Sequence, residues 1–234
     1  TSRGTSQDYS AFIIVDITTI PYNIVGKYKN NDIKPILLPN IIHDVAKNYN
    51  KAYVLIEVND IGAQVADIMQ YDLEYDNLLM CSMRGRAGQI VGSGFSGKKA
   101  SLGVRMTSAV KKVGCSNLKA MIEEDKLIVK DYDIISELTT FIQKGQSFEA
   151  EEGCNDDLMT CLIIFGWLSN QTYFKELSNN SARLELLQNN QKLIEDEVLP
   201  FGFMDDGTDN PLEDKEFDSF FGFSSKRDES DFTF

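Results

Sequence analysis

Acid is missing from the middle of this chain. Between Asn77 and Ile122 there is no Asp or Glu, although the 234 residues carry 36 acids against 23 Lys and Arg, for a net charge of −13. Histidine is nearly absent too. His43 stands alone, so serine–histidine or cysteine–histidine catalysis would rest on one residue. It lies in Asn40-Ile41-Ile42-His43-Asp44, a helix-like stretch, and reads as a surface residue. Cys81, Cys115, Cys154 and Cys161 show no CxxC spacing and sit in apolar or helical contexts. That pattern argues against a zinc site and for a reduced, intracellular protein. No apolar run is long enough to cross a bilayer and no secretory leader is visible, so no membrane partner is expected.

What is present is segregated charge. The net charge argues against a nucleic-acid partner on average, but the acid-free stretch holds Arg84, Arg86, Lys98, Lys99, Arg105, Lys111, Lys112 and Lys119. A polyanion meets local patches rather than averages. Within it, residues 84–99 are glycine-rich and basic and read as a mobile loop or hairpin. Gly92 to Lys98 satisfies seven positions of a phosphate-binding P-loop, but Lys99 stands where the magnesium-holding hydroxyl belongs, so nucleotide binding is not expected. The same residues suit an arm on the DNA backbone, glycines letting amides approach phosphates and lysines neutralising them.

Acid gathers where apolar sequence begins. Glu151, Glu152, Asp156 and Asp157 precede Leu158-Met159-Thr160-Cys161-Leu162-Ile163-Ile164-Phe165-Gly166-Trp167-Leu168, a helix apolar almost all round and therefore buried. Asn155 or Asp156 can cap it, with Asp157 in its first turn, where the helix dipole favours ionised acid. A cap needs one acid, and a divalent cation would reconcile the surplus. Upstream, Tyr53-Val54-Leu55-Ile56-Glu57 is a continuous apolar run closed by an acid, which marks a buried strand with Glu57 at the sheet edge where open α/β sheets place ligands. Acids on separate elements, without a catalytic histidine, suit metal-assisted phosphodiester chemistry.

The remaining elements alternate. Strands are expected at 11–17 and, across a turn containing Pro21, at 23–28, then helix 39–50 and strand 53–57. A helix through Val65 and Met69, a strand at 78–81, a Thr107-capped helix reaching Glu124, a strand at 127–129 and a helix from Ile134 to Lys144 ended by Gly145 follow. This is an α/β fold with a mixed sheet. The expected organisation is one domain over 1–178, a C-terminal helix within 179–199, and an acidic, phenylalanine-bearing, disordered tail over 200–234. That tail is either a passive solubilising segment or suited to docking on a partner's basic, apolar groove.

In family order from residue 1 to about 175, the chain carries Gln7-Asp8-Tyr9-Ser10-Ala11, Ile56-Glu57-Val58-Asn59 with Gly62, Val113-Gly114-Cys115-Ser116, Asp125-Lys126-Leu127-Ile128, and Glu151-Glu152-Gly153 with Asp156-Asp157-Leu158 and Ile164-Phe165-Gly166-Trp167-Leu168. On these segments it resembles the C-terminal nuclease domain of the large terminase subunit of T-even-type tailed bacteriophages, the ATP-driven motor that packages and cuts viral DNA. The resemblance implies a ribonuclease H-like fold and an Mg2+- or Mn2+-dependent endonuclease acting on double-stranded concatemeric DNA. It implies Glu57 and Asp157 as metal-holding acids, Asp8 and Asp156 as neighbouring catalytic acids, and Arg84, Arg86, Lys98, Lys99, Arg105, Lys111 and Lys112 as DNA contacts. Implied partners are double-stranded DNA, the N-terminal ATPase part of the large terminase, the portal protein and the small terminase subunit. The implied place is the host cytoplasm, at the procapsid portal.

Asn155 stands where relatives of that family often carry histidine. The family's first strand, a central one ending in the leading metal-binding Asp, has no counterpart here, and neither Asp8 nor Asp16 replaces it. The expectation is a truncated sequence, a C-terminal piece that pairs with a separate N-terminal piece, or the downstream half of an intein-interrupted gene, since Thr can follow a splice junction. The competing readings are another ribonuclease H-like nuclease, such as a resolvase or integrase, and a non-catalytic module that clamps DNA and docks on the portal.

Overall fold

A computed structural model describes residues 9–82, 88–93, 100–145 and 147–179, all within one compact unit. Asp8, Arg84, Arg86, Lys98, Lys99, the expected helix within 180–199 and the tail lie outside the described residues.

The chain opens on an antiparallel pair, β1 (Ser10–Asp16) and β2 (Tyr22–Asn30), with Phe12 stacked on its cross-strand partner Tyr28 at 4.9 Å. β2 then pairs in parallel with β6 (Leu127–Ile128), so β1 forms the outer strand of a β1-β2-β6 sheet. A second sheet runs β4-β3-β5, made of Gln89–Ser93, Leu79–Ser82 and Ser101–Leu102. The apolar run at 53–57, expected as a buried strand, forms only isolated parallel bridges to this sheet, Val54 to Leu78 and Glu57 to Val104, and of its residues Ile56 alone is buried while Tyr53 is exposed. Fold class and mixed sheet are as expected, but the sheet is interrupted between β1 and 53–57.

Helices pack around these strands, the one over Asp157–Ser169 against β1. α1 (Leu38–Asn48) starts with Pro39, whose missing N–H is free of cost in the first turn, and turns Leu38 and Ala46 into a cluster with Ile56, Val65 and Met69. α2 (Gly62–Asp67) leads into a π-helical turn, Ile68–Asp72, whose Gln70 is 1 % exposed and has no side-chain partner among the described residues. α3 (Ser108–Glu123) is capped as expected, the Thr107 hydroxyl accepting from the Val110 N–H.

α5 (Asp157–Ser169) is the spine. Leu158, Leu162, Ile163 and Trp167 are fully buried, and the helix crosses α3 at glycines. A Cβ on Gly114 would overlap the Ile163 carbonyl oxygen, and one on Gly166 would stand 2.5 Å from the Gly114 oxygen. Only hydrogen at both positions lets these backbones approach.

One expected helix is half strand. α4 spans Tyr132–Thr139, and Phe141–Lys144 is β7, hairpinned with β8 (Ser147–Ala150). The reason lies at Thr139 and Thr140, whose hydroxyls donate back to the Ser136 oxygen at 2.8 and 3.2 Å. Such bonds satisfy the last carbonyls of a helix and let it end, and aromatic and β-branched Phe141 and Ile142 suit the strand that follows. His43 also departs from expectation: its ring meets Tyr75 edge-on at 5.8 Å and is partly buried.

Candidate active site

Glu57 ends the extended run and Asp157 opens α5, a hundred residues on, yet both line one cavity of about 870 Å3, with Asp156 beside them. Glu57 is mostly shielded from solvent. Burial pushes its carboxyl above the usual range and the negative charge of Asp156 adds to this, while Lys111 pulls the other way. Asp156 therefore lies near enough to act on the charge of Glu57. Cys161, one turn into α5, feels the same field: burial pushes its thiol up to about 12, with Glu57, Asp157 and Glu137 contributing. Its Sγ lies 3.3 Å from the Asp157 oxygen and 3.6 Å from the Ala11 oxygen, so α5 starts beside the start of β1.

Two residues that sequence reading missed organise this corner. Asp156 occupies the N-cap position of α5 but makes no side-chain cap bond. The cap comes from α4: Glu137, 6 % exposed, accepts from the Leu158 and Met159 N–H groups at 2.8 and 2.9 Å. Its other oxygen accepts from Lys29 Nζ at 2.6 Å, and the same ammonium lies 3.8 Å from Asp157 Oδ2 and 4.5 Å from the centre of the Tyr9 ring. The available signal was Glu137 itself, three positions after Ile134 on the inward stripe of a short helix, where an acid needs a reason.

Of the expected DNA contacts, Arg105 and Lys112 are exposed. Lys111 turns toward the acids, with Nζ 4.0 Å from Asp156 Oδ2 and 5.5 Å from the centre of the Phe141 ring. Lys29 and Lys111 thus offset part of the negative charge at the cavity mouth. The donor set of Glu57, Asp156 and Asp157 is all hard carboxylate oxygen, which fits Mg2+ or Mn2+ in kind. Among the described residues, no group of three His, Cys, Asp or Glu lies close enough to enclose an ion.

A mixed α/β frame is consistent with a ribonuclease H-like domain, and in this one an acid closing an extended run shares a cavity with acids at a buried helix start. The family model described as the terminase RNaseH-like domain matches residues 1–177, and the chain belongs to that family. It is a terminase nuclease domain, a class whose substrate is DNA and whose setting is the packaging machinery.

Proposed function

We propose that this chain is the nuclease domain of a T-even-type phage large terminase, cutting double-stranded concatemeric viral DNA during genome packaging. The observation that carries the reading is the convergence of Glu57 and Asp157 on one cavity from elements a hundred residues apart. Glu57 and Asp157 would hold Mg2+ or Mn2+, with Asp156 and Asp8 as neighbouring acids of the site. When bound, such a divalent ion would supply Lewis-acid stabilisation of the phosphate charge and make a bound water easier to ionise. Glu57 contributes a carboxylate whose ionisation is opposed by burial, so a cation at its side relieves an existing strain. Glu137 holds the first amides of α5 and thereby sets where Asp157 stands. Arg84, Arg86, Lys98, Lys99, Arg105 and Lys112 would grip phosphates without reading bases, while Lys111, also expected among these contacts, sits beside Asp156 at the acidic mouth. The working partners in this reading are the ATPase part of the large terminase, the portal protein and the small subunit, at the procapsid portal in the host cytoplasm.

Glu57→Ala and Asp157→Ala should each abolish magnesium-dependent cleavage of plasmid DNA while circular dichroism and thermal unfolding stay near wild type. Continued cutting by either variant would remove that residue from the metal site. One observation favours a second reading, a clamp that holds DNA and docks on the portal without cutting: the described acids do not by themselves enclose an ion. Salt-sensitive DNA binding by the wild type without any cleavage, even with the upstream polypeptide supplied, would select it.

A further inference from the structure

β2 carries Lys27 and Lys29 at alternate positions, and so on one face of the strand. Both reach α4. Lys27 Nζ donates to Asp131 Oδ1 at 2.6 Å and to Asp133 Oδ2 at 2.5 Å, where that helix begins. Lys29 Nζ donates to Glu137 Oε1 at 2.6 Å, further along it. The two lysines differ in what lies beyond. Lys29 stands opposite Ala11 in the β1–β2 register, and the Ala11 oxygen lies 3.6 Å from Cys161 Sγ. This lysine therefore leaves its sheet beside the first turn of α5.

The Lys29 ammonium is held in place. Glu137 is buried and fixed by the Leu158 and Met159 N–H groups on its other oxygen, so it cannot follow a departing lysine. The Tyr9 ring covers a further side of the ammonium at 4.5 Å, and the Lys29 side chain is only 20 % exposed. Held this way, Nζ stands 3.8 Å from Asp157 Oδ2, too far for a direct hydrogen bond and near enough for charge to act. A lysine needed only to neutralise Glu137 could stop at that carboxylate, whereas this one is shared with Asp157. Any cation on Asp157 thus has a fixed ammonium as a neighbour, and like charges at such range repel.

Resting on the reading of Asp157 as a metal-holding acid, we propose that Lys29 is a positioning residue of that site, one that steadies Asp157 while no ion is bound and lowers the affinity of the site for divalent ions. In the ion-free chain its charge offsets the repulsion between Asp157 and Glu137, the two acids it lies between. Toward an incoming ion the same charge is an opponent, because Glu137 keeps the lysine from swinging away. Lys111 does not duplicate this role, since it approaches Asp156 from α3 rather than Asp157 from β2. Opposite signs follow for the two partners. Removing the lysine charge strengthens ion binding, and removing the glutamate charge, which leaves the ammonium uncompensated, weakens it. A lysine that served only to hold the fold would give a loss in both cases.

The test is Mn2+ binding to the full 234-residue chain without DNA, read as loss of the free-ion electron paramagnetic resonance signal. Asp157→Asn serves as the control for ions held elsewhere on an acidic surface. Lys29→Met should bind Mn2+ about threefold or more tighter than wild type, Glu137→Gln about threefold or more weaker, and Lys29→Arg within about twofold of wild type. Should Lys29→Met fail to fold, Lys29→Met combined with Glu137→Gln buries no unpaired carboxylate, and it should bind tighter than Glu137→Gln alone. Unchanged or weaker binding on losing Lys29 overturns the proposal, as does Lys29→Arg behaving like Lys29→Met. In either case Mn2+ binding that depends on Asp157 leaves the metal reading standing. No Mn2+ binding by wild type, or binding that Asp157→Asn leaves untouched, instead removes Asp157 from the metal site and takes this inference with it.

Discussion

Glu57 carries a cost that ties its chemistry to stability. Burial and Asp156 hold its carboxyl above the ordinary range in the folded chain. A carboxyl raised in this way penalises folding progressively as pH rises above the unfolded value of about 4.3, fully once pH exceeds the folded value, and has no effect at lower pH, where both states are protonated. Glu57→Gln should therefore have the higher Tm at pH 8 without metal, with the gap closing as pH falls to 4. Magnesium should narrow the gap at pH 8 by stabilising the wild type alone. A Glu57→Gln variant that melts below wild type at pH 8 would mean that the carboxylate is favourably paired rather than desolvated. Glu137 is the opposite case, an acid that holds structure together. Glu137→Ala strands two buried N–H groups and takes the partner from Lys29, a loss of roughly 3 kcal/mol by the usual cost of breaking a buried charged network. Glu137→Gln keeps an acceptor and should lose less. Asp156→Ala, at the nominal cap, should change the urea midpoint by little, because its side chain makes no cap bond. A larger loss from Asp156 than from Glu137 would reverse this assignment.

Among elements, the α3–α5 crossing sets how closely the late helix can lie against its neighbour. Asn117 Nδ2 donates to the Gly166 oxygen at 3.0 Å across the same contact. Replacing glycine by alanine inside a helix ordinarily gains about 0.5–1 kcal/mol. Here the new methyl meets backbone that cannot rotate away, so Gly166→Ala should lose about 1–3 kcal/mol net, read as a lower urea midpoint at unchanged slope. The elements that periodicity revealed are those whose cause is local: β1 and β2 from β-branched runs, α3 from Thr107 and its repeat, α5 from an uninterrupted apolar stretch. What stayed hidden was decided at a distance. The cap of α5 comes from Glu137, some twenty residues earlier, and nothing near Asp156 announces it. The end of α4 turns on threonine hydroxyls bonding back and on β8 offering a partner to β7, so a helical pattern through Lys144 was read one element too far. The pairing of Glu57 with Asp157 could be read from residue types, an acid closing an apolar run and acids opening a buried helix, and the resemblance supported it, but no spacing rule links positions on separate elements.

At the scale of the whole molecule, the same segregation of charge that stands out in the sequence must reconcile an acidic protein with a polyanionic substrate. Thirteen net negative charges repel DNA at long range, and that repulsion is screened over about 8 Å at physiological ionic strength. Contacts from the acid-free stretch act inside that distance, where each lysine or arginine on a phosphate releases a counterion and adds about 0.9 to the slope of log affinity against log salt. Lys111 is drawn toward Asp156 and contributes to the acidic mouth, whereas Arg105 and Lys112 are exposed and free to meet backbone phosphates. Arg105→Ala and Lys112→Ala should each flatten the salt slope by about one unit, by fluorescence anisotropy on duplexes of unrelated sequence, with equal effects on each duplex. Lys144→Ala, which removes a charge already paired with Glu149 at 2.9 Å, should leave the slope unchanged. Equal slopes for all three variants would move the DNA path off α3, and a sequence-dependent loss would mean that these side chains touch bases rather than phosphates.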